Sequence, residues 1–296
     1  MRATRKGNGS MKVFGIALVR DEADVIRLSV GHQLSLGLDR VLVVDNGSSD
    51  GTTLVLERLS RDDDRIRWSS DAGPYHQAEI MTALAREALR QGADWIVPFD
   101  ADEFWWVAGG NLRAVLAAVT AGALRAPVVN FVQSRDRLEP SEQALLTMTR
   151  RVAAPVNPRP DGQNPVNPRI IPYVERAYNP KCVSRPTNTI EIGRGNHRVK
   201  GVAGPVVETV DLVCLHAPLR SRAGLERKAA VGERIEQAGW PGGGGHMRRW
   251  RRLQEKGALD REWAANSYVG ETLDVYGTER PLVVDFTLRD LVAPLL

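Results

Sequence analysis

Short β-rich runs alternate with longer amphipathic runs from Lys12 onwards, and this alternation limits the fold more than any other feature of the chain. The runs KVFGIALV, DRVLVVD, RIRWSS and DWIVPFD have the composition of strands, and a segment with helical character follows each of the first three. Strands that alternate with helices form βαβ units around a parallel sheet. The sequence therefore predicts an α/β protein with a central, mostly parallel sheet flanked by helices.

Three of the predicted strands run directly into acidic or polar residues, namely Asp45, the stretch from Ser69 to Asp71, and Asp100. In parallel sheets, ligands bind at the edge formed by the carboxyl ends of the strands. Asp100 and Asp102, separated by one small residue, can direct oxygens at one point, as Mg²⁺ or Mn²⁺ requires. The alternative is that these two aspartates cap a helix beginning at Glu103.

Composition narrows the class of protein. The 296 residues are 43% hydrophobic, which suits one large domain or a domain with an appendage. Forty basic and 36 acidic side chains nearly balance, so charge gives no argument for a nucleic-acid partner. The two cysteines lack the spacing of a metal site and fit a protein from a reducing compartment. No run approaches the ~20 consecutive apolar residues that a membrane-spanning helix needs. These features predict a cytoplasmic protein without an integral membrane segment.

Several nucleotide-binding and hydrolase motifs are missing. The chain has no G-x-x-x-x-G-K-[ST] loop and no G-x-S-x-G elbow, and GRGNHR at 193–198 lacks the spacing and context of a dinucleotide fingerprint. P-loop hydrolysis, hydride transfer and serine hydrolase chemistry are therefore disfavoured.

The pattern weakens after Phe104. LRAVLAAVTAGAL predicts an Ala-rich helix, and the five prolines of 155–169 predict a long loop that is either a lid over a site or a solvated excursion. GGGG at 242–245 predicts a hinge, and the segment beyond it is basic with one tryptophan.

Five blocks in the same order carry a family resemblance: ALVRDEADVI, VLVVDNGSSDGT, YHQAEIMTALAREAL, GADWIVPFDADEFWW and LHAPLRSRAGLERKAAVG. Together they resemble the family 2-like glycosyltransferases of the GT-A fold, in the branch with a DADEF signature. The resemblance covers Lys12 to about Gly110 and resumes from His197 to Gly232. It implies a GT-A-type Rossmann-like sandwich with a helical C-terminal segment.

The resemblance also implies an organisation of the chain and an activity. Residues 1–10 would be a flexible tail, 11–110 a nucleotide-sugar-binding half, 111–235 an acceptor-side half and 236–296 a C-terminal appendage. The implied reaction is metal-dependent transfer of a sugar, with inversion, from a nucleotide-diphosphate donor to a hydroxyl-type acceptor. A UDP-sugar is the foremost donor, Mn²⁺ or Mg²⁺ the cofactor, and a small molecule or a glycan the acceptor.

Site residues follow from the matching positions. Asp100, Asp102 and His216 match the metal ligands, and His197 is a rival for the histidine. Donor contacts are expected from Val19, Arg20, Glu22, Asp45, Gln77, Asp100 and Ala101, with Arg220 and Lys228 on the diphosphate. Asp136 and Glu191 are the candidates for the catalytic base. Asp45 could instead cap the next helix, and the basic residues could be a solvated face.

Two other classes of function remain open at this point. A nucleotidyltransferase would use the same carboxylates and metal but should carry a basic Gly-rich loop, whereas VRDEADV is acidic. A noncatalytic glycan- or nucleic-acid-binding protein would use segment 247–256. The alternative for that segment is a helix packed on the domain or on a partner subunit, and the latter would make the protein a homo-oligomer.

Overall fold

The structure, a computed structural model, describes residues 10–157, 171–237 and 245–296. The predicted tail, most of the predicted proline-rich loop and most of the predicted glycine hinge lie outside these ranges.

The first half of the chain alternates strands and helices as the sequence predicts. Its elements are β1 (Val13–Val19), α1 (Ile26–Ser35), β2 (Arg40–Asp45), α2 (Thr52–Asp62), β3 (Ile66–Ser70), α3 (Gln77–Arg90) and β4 (Trp95–Pro98). β1 pairs in parallel with β2 and β4, and β2 pairs in parallel with β3.

The remainder of the chain contains more strands than the sequence indicates. Its first elements are β5 (Glu103–Val107), α4 (Leu112–Ala117), β6 (Ala123–Ala126), β7 (Val128–Ser134), β8 (Arg150–Val152), β9 (Lys181–Ser184), β10 (Glu191–Ile192), β11 (Val199–Lys200), β12 (Val206–Glu208) and β13 (Leu212–His216). The last elements are α5 (Arg222–Gln237), α6 (Gly245–Glu255), α7 (Leu259–Ala265), β14 (Ser267–Val269), β15 (Thr272–Val275), β16 (Thr278–Val284) and α8 (Thr287–Val292).

The first sheet has the order β12-β6-β9-β4-β1-β2-β3, and only β9 runs antiparallel to its neighbours. Every residue of β1 is buried, because helices cover both faces. Phe14, Ile16 and Leu18 pack with α3, whereas Ala17 and Val19 pack with α1 and α2. The predicted fold class, an α/β protein with a mostly parallel central sheet flanked by helices, is confirmed.

The second sheet has the order β14-β15-β16-β8-β7-β13-β5, and β14 also pairs with β7. β7, β8, β16, β15 and β14 therefore close into a ring. The C-terminal segment contains the expected helices, and it also contributes three strands to this ring.

Two local predictions were wrong. Glu103 begins the strand β5 rather than a helix, because β5 pairs with β13, so Asp100 and Asp102 do not cap a helix there. The predicted Ala-rich helix ends at Ala117, and its last residues enter β6. Gly122 lies between the end of α4 and the start of β6. A side chain does not fit at this position, because a Cβ would lie 2.9 Å from the backbone oxygen of Ala203.

No helix within residues 10–157, 171–237 and 245–296 has the length and apolar character needed to cross a membrane. Cys182 and Cys214 are buried free thiols.

Candidate active site

A cavity of about 770 Å³ opens where β1, β2 and β4 end. The β1 end contributes Val19, Arg20 and Glu22, and the β4 end contributes the DADE turn. The second sheet, α5, α6 and the segment before β9 contribute further lining residues. Nine of the predicted site residues line this cavity: Val19, Arg20, Glu22, Gln77, Asp100, Ala101, Asp102, His216 and Lys228.

Strand pairing explains how the acidic turn meets the histidine. The antiparallel register of β5 and β13 sets Glu103 opposite His216, and the backbone N–H of Ala217 donates to the carbonyl of Asp102 at 2.8 Å. Asp102 and His216 are thereby neighbours although they lie far apart in the sequence.

Asp100 is the more exposed of the two aspartates, and its main partner is Lys181. The ammonium of Lys181 is buried, 2.8 Å from Oδ2 of Asp100 and 2.5 Å from Oε1 of Glu103. Burial and the neighbouring charge of Asp100 raise the pKa of Glu103 to about 8, against the opposing effect of Lys181. Oδ1 of Asp100 has long contacts with Asn196 at 3.3 Å and Gln77 at 3.5 Å.

Asp102 is buried and surrounded by cationic groups. Its Oδ2 accepts from Nζ of Lys228 at 2.8 Å, and a guanidinium nitrogen of Arg220 lies 3.7 Å away. Burial alone would raise the pKa of Asp102, but Lys228, His216 and Arg220 outweigh it and hold that pKa well below its usual range. Asp102 is therefore a carboxylate at neutral pH.

His216 presents one ring nitrogen to each of two partners. Nδ1 lies 2.8 Å from Oδ1 of Asn130, and Nε2 lies 3.7 Å from Oδ1 of Asp102. Burial lowers the pKa of His216 to about 4, so the ring is neutral at pH 7. A ring nitrogen of a neutral imidazole and a carboxylate oxygen thus face each other in a buried site.

This pair of donors fits a hard divalent cation. Mg²⁺ and Mn²⁺ are held by few protein ligands when substrate phosphates and water complete the shell. Among residues 10–157, 171–237 and 245–296, no group of three or more His, Cys, Asp or Glu side chains is arranged to hold a metal ion. A cation held by Asp102 and His216 would take the rest of its shell from other oxygens, such as those of water or a phosphate.

His197 lines the same cavity, but its Nδ1 lies 3.3 Å from the carbonyl oxygen of Pro180. Burial lowers its pKa to about 4. Across the described part of the chain, His216 is the histidine found within 4 Å of Asp102.

Asp45 is directed into its own loop rather than into the cavity. It is buried, and its carboxylate accepts from the backbone N–H and hydroxyl of Ser48 and from the hydroxyl of Thr53 at 2.8 Å. Asp45 therefore closes the turn that precedes α2, but it does not cap that helix, because the N-cap residue is Gly51 and no side chain caps it.

Asn46 takes the place on the cavity wall that Asp45 was expected to hold. Its Nδ2 donates to the carbonyl oxygens of Asp71 at 2.8 Å and Gly73 at 3.1 Å, which fixes the orientation of the amide. Its Oδ1 is buried and has no hydrogen-bond partner among the residues that the structure describes. A buried acceptor without a donor is costly, so this oxygen is suited to an N–H group of a ligand.

Arg220 is engaged with the acidic loop after β1 and does not line the cavity. Its guanidinium donates to Asp24 at 2.9 and 3.0 Å and forms a short contact with Glu22. Lys228, in contrast, lines the cavity beside Asp102. Of the two predicted diphosphate contacts, Lys228 is the one with access to the cavity.

The two candidate bases lie away from the other predicted residues. Asp136 is exposed at the end of β7, where it accepts from the hydroxyl of Ser134 at 2.5 Å. Glu191 is exposed on β10, which pairs only with β11 in the described chain. Neither belongs to the lining that the described residues form.

Sequence reasoning missed several residues of the site. Lys181 stands alone in a proline-flanked segment and gave no signal, whereas Asn130 was detectable as a polar residue inside an apolar strand. Tyr173, Tyr178 and His246 form an aromatic wall, with Tyr173 5.5 Å from Tyr178 and 4.7 Å from His246 between ring centroids.

The basic segment 247–256 is largely the helix α6, which packs on the protein. Trp250 is 1% exposed, and its indole N–H donates to Glu262 at 3.0 Å. Arg249 also pairs with Glu262. Since the tryptophan is unavailable for stacking on a base, the packed-helix interpretation describes this segment.

No family model matches the chain, and no curated protein matches it. Solved structures with a similar fold include residues 1–349 of S. aureus TarS in complex with UDP, at 13% identity and a TM-score of 0.41. That match covers 76% of this chain, which spans 65% of the TarS chain.

A mannosyltransferase from Pyrobaculum calidifontis, in complex with GDP-Man and Mn²⁺, matches at 18% identity and a TM-score of 0.42, over 88% of this chain and 74% of that one. A putative glucose-1-phosphate thymidylyltransferase from Bacillus anthracis, in complex with a sucrose, matches at 11% identity and a TM-score of 0.30. That match covers 43% of this chain and 58% of the other. Likenesses at these TM-scores do not by themselves identify a function.

Proposed function

We propose that the protein is a divalent-metal-dependent glycosyltransferase that moves a sugar, with inversion, from a nucleoside-diphosphate donor to a hydroxyl acceptor. A UDP-sugar is the foremost donor. The observation that carries this proposal is the cavity at the carboxyl ends of β1, β2 and β4, in which Oδ1 of Asp102 and Nε2 of His216 face each other at 3.7 Å.

Distinct parts of the cavity suit distinct parts of such a donor. Oδ1 of Asn46, buried and unpartnered among the described residues, would accept from an N–H of the base, such as N3–H of uracil. At the other end, Asp100 and Asp102 lie with His216 and Lys228 where a diphosphate carrying a cation would sit. A volume of about 770 Å³ is within the range of small-molecule sites.

The metal would be held by Asp102 and His216, with Asp100 as the second carboxylate. When bound, such a cation supplies charge neutralisation to a departing diphosphate. Lys228 would contribute a further positive charge to the same leaving group once its ammonium turns from Asp102 to a phosphate oxygen. Lys181 keeps Asp100 and Glu103 close together, and Arg220 holds the loop of Glu22 and Asp24 against the site.

The acceptor would enter beside the aromatic wall. Tyr173 and Tyr178 line the cavity, and the ring of Tyr178 lies 5.4 Å from that of His216 between centroids. Aromatic faces and edges suit the apolar face of a sugar ring or of an aglycone. A small molecule and a glycan both have such faces.

Calorimetric titration of the protein with UDP, GDP and dTDP, each with and without Mn²⁺, tests the proposal. Mn²⁺-dependent binding of one of them identifies the donor base, and incubation with the corresponding nucleotide sugars should release that nucleoside diphosphate. Release of pyrophosphate from a nucleoside triphosphate and a sugar phosphate would instead make the protein a nucleotidyltransferase. Folded protein that binds none of the three would contradict both enzymatic functions.

A further inference from the structure

Asn130 is a buried amide in the middle of the otherwise apolar run VVNFV of β7. β7 pairs in parallel with β13, and the register sets Asn130 beside His216. A buried amide without partners would destabilise the strand, so its hydrogen bonds indicate what it does there.

The hydrogen bonds of Asn130 fix which way its amide points. Its Nδ2 donates to the carbonyl oxygens of Val174 and Arg176, both at 3.1 Å. Carbonyl oxygens only accept, so the NH₂ group must face them and Oδ1 must face His216. The orientation of this amide is therefore determined by the backbone of the segment that carries the aromatic wall.

The orientation of Asn130 determines the tautomer of His216. Oδ1 of Asn130 can only accept, and Nδ1 of His216 lies 2.8 Å from it, so Nδ1 carries the proton. In the neutral ring, the lone pair is then on Nε2, the nitrogen that lies 3.7 Å from Oδ1 of Asp102. Histidines that bind metals commonly donate their other N–H to an acceptor of this kind, which fixes the ring and its tautomer.

We infer that Asn130 is a positioning residue that presents the Nε2 lone pair of His216 to a divalent cation beside Asp102. The inference rests on the proposed metal-dependent function and adds a residue that touches neither the cation nor the donor. Loss of the Oδ1 acceptor frees the ring to flip or to adopt the other tautomer, in which Nε2 carries a proton and cannot bind a metal.

Asn130 also holds two backbone carbonyls, so the variants must separate positioning from structure. Asn130→Asp keeps an acceptor for Nδ1–H but loses both donations to the carbonyls. Asn130→Leu loses the acceptor as well. Phe131→Leu, at the next residue of β7, removes buried volume and serves as a control for stability alone, because successive side chains of a strand face opposite sides.

Mn²⁺ affinity is measured by electron paramagnetic resonance, with Mn²⁺ alone and with Mn²⁺ plus UDP. Asn130→Leu should weaken binding by about 10- to 100-fold, as is typical for removal of an outer-shell partner. Asn130→Asp should stay far closer to the wild type, although it is less stable, and Phe131→Leu should bind as the wild type does. ¹⁵N NMR of the metal-free protein should show the Nδ1–H tautomer of His216 in the wild type and the Asp variant, and its loss in the Leu variant.

Equal Mn²⁺ affinity in the wild type and Asn130→Leu would overturn the role of Asn130 and leave the metal-dependent function intact. A fall in affinity that follows stability across all three variants would also overturn it. Absence of Mn²⁺ binding to the wild type, with or without UDP, would overturn the metal-dependent function together with the role.

Discussion

Lys228 and His216 contact opposite oxygens of the same carboxylate. Nζ of Lys228 lies 2.8 Å from Oδ2 of Asp102, and Nε2 of His216 lies 3.7 Å from Oδ1. The lysine keeps Asp102 ionised while leaving Oδ1 and the imidazole lone pair for another cation. Asp102 is thereby the counter-ion of Lys228 through one oxygen, and the proposed cation would use the other.

Asp102→Asn should reduce donor turnover by about 100-fold or more, because it removes a negative metal ligand. It should also lower the free energy of unfolding, because Lys228 loses its nearer carboxylate partner and keeps only the contact with Glu22 at 3.9 Å among the described carboxylates. Breaking a buried pair costs about 3–5 kcal/mol, and we expect the lower end because the Lys228 side chain is 22% exposed. Nucleoside-diphosphate release and urea unfolding measure the two effects.

The double variant Asp102→Asn, Lys228→Met separates these effects. It should recover part of the lost stability, since the ammonium that lost its nearer partner is gone, yet it should remain inactive. Wild-type turnover in Asp102→Asn would contradict the metal-ligand role of this residue.

Lys228→Met alone should weaken binding of the nucleoside diphosphate by about 10- to 100-fold, the loss expected when a hydrogen bond to a charged group is removed. Binding of the free nucleoside should not change, because the lysine lies at the acidic turn and not near Asn46. Calorimetry with UDP and with uridine makes the comparison. Equal losses for both ligands would point to a general disturbance of the cavity.

Asn46→Leu should weaken binding of the nucleoside by about 10-fold, because the Oδ1 acceptor disappears. The variant should also be less stable, since the carbonyls of Asp71 and Gly73 lose their donor. Asn46→Asp also loses the two hydrogen bonds to these carbonyls, but it keeps an acceptor oxygen for the base. It therefore serves as the matched control. If both variants bind uridine as the wild type does, Asn46 does not contact the base.

His32 should make the protein sensitive to acid. It is 1% exposed, Nε2 lies 2.9 Å from the carbonyl of Trp105, and burial lowers its pKa from the ordinary value of 6.5. As pH falls below 6.5, His32 therefore becomes protonated more readily in the unfolded chain than in the folded protein. The stability from this group is present above pH 6.5 and falls as pH decreases below it, by up to about 1.4 kcal/mol per pH unit.

Urea unfolding between pH 7.5 and pH 5 measures this slope. His32→Gln, which keeps a donor for the carbonyl of Trp105, should make it less steep by the share of His32, while His197 and His216, whose pKa values are also lowered, keep the remainder. His76→Gln, at an exposed position, should leave it unchanged. An identical slope in the wild type and His32→Gln would contradict the assignment.

The first half of the fold was predictable because its signals are local. β1 to β4 are compact apolar runs, and the helices between them have their own periodicity. β5 was not predictable, because the aromatic run after Glu103 becomes a strand only by pairing with β13, which is distant in the sequence. The three C-terminal strands depend in the same way on β7 and β8.

The site was predictable where residues follow a strand directly, as Asp100 and Asp102 do. Lys181 and Asn130 reach it through pairings that have no local pattern. Asp45 and Asn46 are adjacent and both polar, and only their hydrogen bonds show which one serves the turn and which one lines the cavity.

The ring formed by β7, β8, β16, β15 and β14 bears on how the protein is made. A strand cannot pair with one that has not yet been synthesised, and closing a long loop before contacts form costs chain entropy. β7 therefore gains its last partner only after the ribosome has delivered β14, whereas β1 to β4 can assemble early. Because β7 carries Asn130, the partner of His216, we expect this side of the cavity to mature late, after translation of the C-terminal strands and after β1 to β4 have assembled.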